Sequence, residues 1–189
     1  MIKIRYNAPV TLTFALISTI ILGFDSIFKT NIIYSFFTVP GKGGFDSTAI
    51  LSYIRLFTHA AGHENWAHLF GNFSFILLLG PILEEKYGSP SIFFMMVLTA
   101  LITGILNILL FTTGLMGASG IVFMMILLVS FTNIRSGEIP LTFILVVILF
   151  LARELIGIFR QDNNISEFAH IIGGVCGSLF GFMRPKKSG

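Results

Sequence analysis

Long apolar runs separated by short polar breaks dominate the chain. Six runs are legible, at about 9–28, 66–83, 91–111, 118–133, 139–156 and 166–183. Each approaches the roughly 20 residues with which an α-helix crosses a hydrocarbon core. Residues 29–65 break the pattern. A turn-rich VPGKGG is followed there by TAILSYIRLFTHAAGHENW, which mixes apolar and polar positions and carries two histidines. Such a mixture predicts a segment lying at the membrane interface rather than crossing it. The pattern therefore predicts an all-α membrane protein, a six-helix bundle forming one integral domain over residues 1–189, with no long-period repeat.

Composition sharpens this expectation. The chain is 54% hydrophobic and 11% charged, with 21 Phe among 189 residues. A typical soluble domain carries about 25% charged residues. The net charge of +3 sits mostly at the ends, on Lys3 and Arg5 and on Arg184, Lys186 and Lys187, which reads as topology rather than nucleic-acid binding. A single cysteine, Cys176, forbids an intrachain disulfide. The first run is not followed by a small-x-small cleavage site, so it is expected to stay as a span. With six spans, Lys3, Arg5, Lys86, Arg135, Arg184, Lys186 and Lys187 fall on one side in short segments. Lys29, Lys42, Arg55, Arg153 and Arg160 fall on the other, over longer ones. The positive-inside rule then puts both termini in the cytoplasm of a multi-pass cytoplasmic-membrane protein. The starts of spans two, four and six lie toward the outer face.

Few polar groups stand inside these spans, and each is a functional candidate because burying it in lipid is costly. His68 and Asn72 lie four apart in span two, about 40° from each other on one helix face. Gly71 beside them would let another backbone approach. Ser119 opens span four between Gly117 and Gly120. Serine and glycine also serve helix contacts, so the GASG pattern alone is ambiguous. The uncharged TTGLMG before it is short enough to dip below the membrane surface, provided that protein or a water-filled cavity surrounds it. Ser119 would then stand at a helix N-terminus, where free N–H groups favour developing negative charge.

In span six, Gly173, Gly177 and Gly181 follow His170 at +3, +7 and +11, all within about 60° of its direction. His170 therefore points along a small-residue stripe toward a neighbouring helix. A serine and a histidine at matched depth form a candidate nucleophile–base pair. The Ser119 amide, His68 and Asn72 are candidate oxyanion donors. No acidic residue lies deep within the spans, since Asp25, Glu154 and Glu167 all stand near span ends. Asp162 precedes span six and Glu167 stands at its very start, with nothing to seat either on His170, so the assignment is a dyad.

Taken together, these residues resemble a rhomboid intramembrane serine protease, from about Arg55 to Gly181. RLFTHAAGHENWAHLFGN is similar to the family's approach to its second helix, with His59, His63, His68 and Asn72 in matching places. GASG is similar to the family's Gly-x-Ser-Gly, and AHIIGGVCGSLFG to its His-x-x-Gly-x-x-x-Gly helix. EEKYGS resembles the turn after the second helix, which implies a structural role for Glu85. The resemblance implies a six-helix bundle whose short fourth helix begins in a water-filled cavity. It implies Ser119 as nucleophile, His170 as base, and an oxyanion site formed by His68, Asn72 and the Ser119 amide. The segment from Arg55 to Trp66 would lie partly in the outer leaflet, and span five would act as a lateral gate. Substrates would be transmembrane segments of membrane proteins. No cofactor and no metal would be required.

The chain also departs from the family pattern. Phe123, Met124, Met125 and Leu127 stand where small residues are usual, which bears on how closely spans four and six approach. Phe123 takes the place of an aromatic, often Tyr, that packs on the base. The family's Trp-Arg pair is Ile54-Arg55 here, and Arg55 is expected to reach the headgroups by snorkelling. Two other readings accompany the protease. One is a catalytically inactive rhomboid-like protein that binds membrane clients. The other is a metal or proton transporter using His59, His63, His68 and His170, since His59 and His63 have an i, i+4 spacing. Loop anchoring by hydrogen bonds is the simpler role for those two.

Overall fold

A computed structural model describes residues 5–131 and 164–183, with positions 141, 144, 145, 148 and 149 between them. Among the described residues the chain is helical, apart from loops and one isolated bridge between Val39 and Leu115. The helices are α1 (Pro9–Phe28), α2 (Ile32–Phe36), α3 (Ile50–Thr58), α4 (Trp66–Tyr87), α5 (Ser89–Leu110), α6 (Ser119–Ser130) and α7 (Asn164–Met183). A 3-10 turn, His59–Ala61, continues α3.

Span one coincides with α1, which opens on Pro9, where a proline's missing N–H costs nothing. Spans three, four and six match α5, α6 and α7 within a few residues. Of these helices, α1, α4 and α5 are long and apolar enough to cross a membrane. The 12 residues of α6 are fewer than a full crossing needs, and α7 runs for 20 residues. Span five lies almost wholly outside the described residues. Its five described positions, Leu141, Ile144, Leu145, Ile148 and Leu149, are helical and exposed. The six-span count therefore rests on the sequence pattern.

Span two runs one turn beyond its expected end, and the reason is Glu84. Its side chain is buried and accepts hydrogen bonds at the start of α1 from the Val10 N–H (3.2 Å), the Thr11 N–H (2.7 Å) and the Thr11 hydroxyl (2.6 Å). Those amides are orphan donors of the first turn, so a carboxylate there serves both hydrogen bonding and the helix dipole. The expected structural role of Glu85 therefore belongs to its neighbour. Glu85 is exposed, because one residue along a helix rotates a side chain by about 100°. The chain then reverses at Gly88, whose φ of 82° suits glycine, and α5 begins.

The bundle is organised around α6. Gly120 to Met125, Leu127 and Leu128 are all buried, and α6 touches α4, α5, α7 and the 3-10 turn. Around it the outer helices expose apolar side chains, such as Leu16, Ile20 and Phe24 on α1 and Phe93, Phe94 and Leu109 on α5. Polar groups go inward: Thr11, Ser52, His59, His63, Asn72, Glu84, Thr99 and Asn107 are buried. That arrangement is stable only where the outer solvent is apolar, and association then depends on close packing and internal hydrogen bonds.

The α6–α7 contact is the most extensive between any two described helices. A Cβ added at Gly173 would lie 2.9 Å from the Gly120 Cα, and one at Gly177 would lie 3.0 Å from the Met124 Cα. The packing concern raised by Met124 is thereby resolved. Its backbone meets Gly177, while its side chain is fully buried in the main core. Gly71 differs from expectation, since a Cβ there would meet nothing within 4 Å. The close-approach glycine of α4 is Gly80, which abuts Thr11 of α1.

The segment between α1 and α4 also takes a defined form. On α3, Ile50, Tyr53, Ile54 and Phe57 share one exposed stripe, while Ser52 and Leu56 face inward. An apolar outer stripe on a connecting helix agrees with contact to lipid. Arg55 is a correction. Its guanidinium donates through Nε (2.8 Å) and Nη2 to the Ser35 carbonyl, rather than reaching toward headgroups. The Thr58 hydroxyl likewise donates to the Phe36 carbonyl at 2.7 Å. These bonds cap the end of α2, where carbonyls lack helical partners.

Candidate active site

Three helices converge on a cavity of about 410 Å³. Among its lining residues are His68 and Asn72 from α4, Ser119 from α6 and His170 from α7. All four candidates named from the sequence therefore face one space. Apolar neighbours, including Leu115, Met116, Val122, Phe123 and Ile126, complete its walls. A second cavity of about 410 Å³ lies between α1 and α5, and among the described residues that line it none is titratable.

Each site residue is held by its own local device. Asn65 caps α4 with an extended backbone, and its Oδ1 accepts the His68 N–H at 2.9 Å. An asparagine just before an apolar run is a legible helix start, and this cap escaped the sequence reading. Asn72 follows one turn later and is 8% exposed. Its amide Nδ2 lies 3.1 Å from Nε2 of His63.

Ser119 begins α6, so its amide lies among the first-turn N–H groups that have no helical acceptor. The preceding loop is pinned to protein at several points. Leu115 exchanges backbone hydrogen bonds with Val39, both at 2.9 Å. The Gly117 N–H reaches the His59 carbonyl at 2.9 Å. The Asn107 amide donates to the carbonyls of Pro40 (3.3 Å) and Thr113 (3.2 Å). These partners let irregular backbone lie between spans without unsatisfied groups facing lipid.

Gly117 does more than flank the serine. Its φ of 113° is one that glycine accepts readily, and a Cβ there would fall 2.7 Å from Nε2 of His68. Its hydrogen atom therefore leaves room for the His68 ring beside the turn that delivers Ser119.

On α7, His170 stacks on Phe123 of α6, with ring centroids 4.3 Å apart and planes at 35°. The glycine stripe brings the two helices together one turn further along, where Gly173 meets Gly120. Asp162 and the side chain of Glu167 lie outside the described residues, as do Arg153, Glu154 and most of the expected gate.

His59 and His63 are buried outside the cavity wall and tied to protein. The His59 Nε2 lies 3.0 Å from the Ala100 carbonyl, and the His63 Nδ1 lies 3.3 Å from the Ala61 carbonyl. Burial pushes both imidazoles down to a pKa of about 4. Among the described residues, no group of three or more His, Cys, Asp and Glu is arranged to hold a metal ion.

No curated protein matches the chain. A family model, the Rhomboid domain, matches residues 51–187, which take in every candidate site residue and most of the chain. With its helical bundle, its apolar outer faces and this match, the chain is a multi-pass membrane protein that belongs to the rhomboid family.

Proposed function

We propose that the protein is an intramembrane serine endopeptidase that cleaves transmembrane segments of membrane-protein substrates with a Ser119–His170 dyad. The observation that carries this reading is the convergence of Ser119, His170, His68 and Asn72 on one cavity within a membrane bundle. In the proposed reaction, His170 takes the Ser119 proton as Oγ bonds to the scissile carbonyl carbon. The carbonyl oxygen becomes an oxyanion and receives N–H donors from the Ser119 amide, Asn72 and His68. His170 then protonates the leaving amine as the peptide bond breaks. A water molecule repeats the sequence on the acyl-enzyme, freeing the acid product and restoring Ser119. Apart from the hydrolytic water, the chain's own residues would supply every group this scheme uses, with no cofactor or metal. The single domain over residues 1–189 would sit in the cytoplasmic membrane with both termini inside and the site toward the outer face. Span five would gate substrate access.

The test is covalent labelling by a fluorophosphonate, paired with cleavage of a transmembrane substrate in proteoliposomes. Wild type is expected to label and cleave, and Ser119→Ala and His170→Ala are expected to do neither while remaining folded. Full cleavage by either variant refutes the dyad. A folded wild type that binds transmembrane segments without cleaving them points instead to a client-binding protein.

A further inference from the structure

His63 is fully buried and forms no part of the cavity wall, yet it contacts both side chains among the oxyanion candidates, His68 and Asn72. Its ring meets that of His68 edge-on, with centroids 5.1 Å apart and planes at 67°. Its Nε2 lies 3.1 Å from the Asn72 amide nitrogen. Phe73 packs against it at 5.5 Å.

The proton positions follow from these contacts. The Ala61 carbonyl can only accept, so the His63 nitrogen facing it, Nδ1, carries the hydrogen. Burial, with the neighbouring His68 adding to it, lowers the pKa of His63 to about 4, so the ring is neutral at pH 7. A neutral imidazole has one N–H, which leaves Nε2 as an acceptor. An acceptor at Nε2 decides which way the Asn72 amide faces. Its nitrogen, not its oxygen, must turn toward His63. The two N–H bonds of a primary amide diverge by about 120°, so the second is directed away from His63. Asn72 lines the cavity, where that second N–H can serve as a donor. With the amide reversed, its oxygen would face a developing oxyanion with a lone pair.

We propose that His63 is a positioning residue that holds the Asn72 amide in its donating orientation toward the cavity, an inference that rests on the oxyanion role proposed above. His63 touches no reacting atom and acts through Asn72. Residues that act through one another give non-additive losses, and this sets the test.

The experiment measures kcat for His63→Leu, His63→Gln, Asn72→Ala and His63→Leu/Asn72→Ala, using full-length protein in proteoliposomes. Loss of one oxyanion donor costs about 10²–10³ in kcat. His63→Leu is expected to fall by about 10²-fold alone and to add less than about twofold once Asn72 is alanine. His63→Gln, whose side-chain oxygen can accept the same hydrogen bond, is expected to recover most of the loss. Equal losses from His63→Leu in both backgrounds, or a glutamine no better than leucine, overturn the proposal and leave His63 as packing.

A spectroscopic arm on wild type stands apart from catalysis and from the folding of the variants. Two-bond ¹⁵N–¹H spectra of ¹⁵N-histidine-labelled protein are expected to show His63 as the Nδ1–H tautomer. Its Nε2 resonance should move in Asn72→Ala. An Nε2–H tautomer overturns the proposal even if the enzyme is active. The predicted tautomer in a protein that neither labels nor cleaves would overturn the protease reading alone.

Discussion

Replacing Gly173 with alanine tests the idea that contact between α6 and α7 sets the catalytic geometry. The added Cβ would lie 2.8 Å from the Gly120 carbonyl carbon and 2.9 Å from its Cα, with the carbonyl oxygen closer still. Nonbonded carbons rest at about 3.5–4.0 Å, so the carbon contacts alone require a local separation of roughly 0.7 Å, and the nearer carbonyl oxygen requires more. Both obstructing groups are backbone, so no side chain can turn aside. Ser119 lies one residue before Gly120, and His170 lies one turn before Gly173. The separation therefore falls on the pair whose distance the proposed chemistry needs. A misplacement of about 1 Å can cost about 10²-fold in rate, and a kcat loss near that size is expected. Intrinsic propensity acts the other way, since alanine favours a helix over glycine by about 1 kcal/mol. Gly23→Ala provides the comparison, because a Cβ there meets Trp66 at an ordinary 3.9 Å. The assay is cleavage of a fluorogenic transmembrane substrate in proteoliposomes, with thermal melts of each variant in detergent. Gly173→Ala retaining wild-type turnover within about twofold would refute the view that this contact sets the Ser119–His170 geometry.

Two further predictions concern stability. Glu84→Ala removes three hydrogen bonds at the start of α1 and should destabilise by about 2–4 kcal/mol, whereas exposed Glu85→Ala should stay within about 0.5 kcal/mol. Equal melting shifts for the two would remove Glu84 from its anchoring role. His59 has a folded-state pKa of about 4 against about 6.5 when unfolded, so the unfolded chain binds the extra proton between those values. Its contribution is therefore complete above pH 6.5 and declines as pH falls toward 4, by up to about 1.4 kcal/mol per pH unit. Melts of wild type and His59→Gln from pH 7 to 4.5 should diverge in that direction, and parallel curves would contradict it.

Much of this protein was determined by local pattern. Apolar run length located α1, α5 and α7 closely, because a lipid core demands continuous helical segments of set length, and it located the shorter α6 because that helix is buried on all sides. The +3, +7, +11 glycines after His170 pointed to the helix face that meets α6, because helical periodicity makes a small-residue stripe directional. The choice of Ser119, His170, His68 and Asn72 also came from local signals, since polar groups are rare inside spans.

Other features depended on residues distant in sequence, and only tertiary structure decided them. Glu84, not Glu85, anchors α1, because the distinction depends on where Thr11 lies, 73 residues away. Arg55 caps α2 because the Ser35 carbonyl lies within its reach, which no hydropathy pattern records. Met124 is compatible with close packing because its backbone, not its side chain, meets Gly177. Likewise, the i, i+4 spacing of His59 and His63 carried no information about their partners. For His59 that partner is the Ala100 carbonyl, 41 residues away, brought near by the packing of α5 against the 3-10 turn, and for His63 it is the nearer Asn72 amide, set opposite its ring where the chain turns into α4. Spacing along a helix specifies a face, whereas a hydrogen-bond partner is specified by what the fold sets opposite that face.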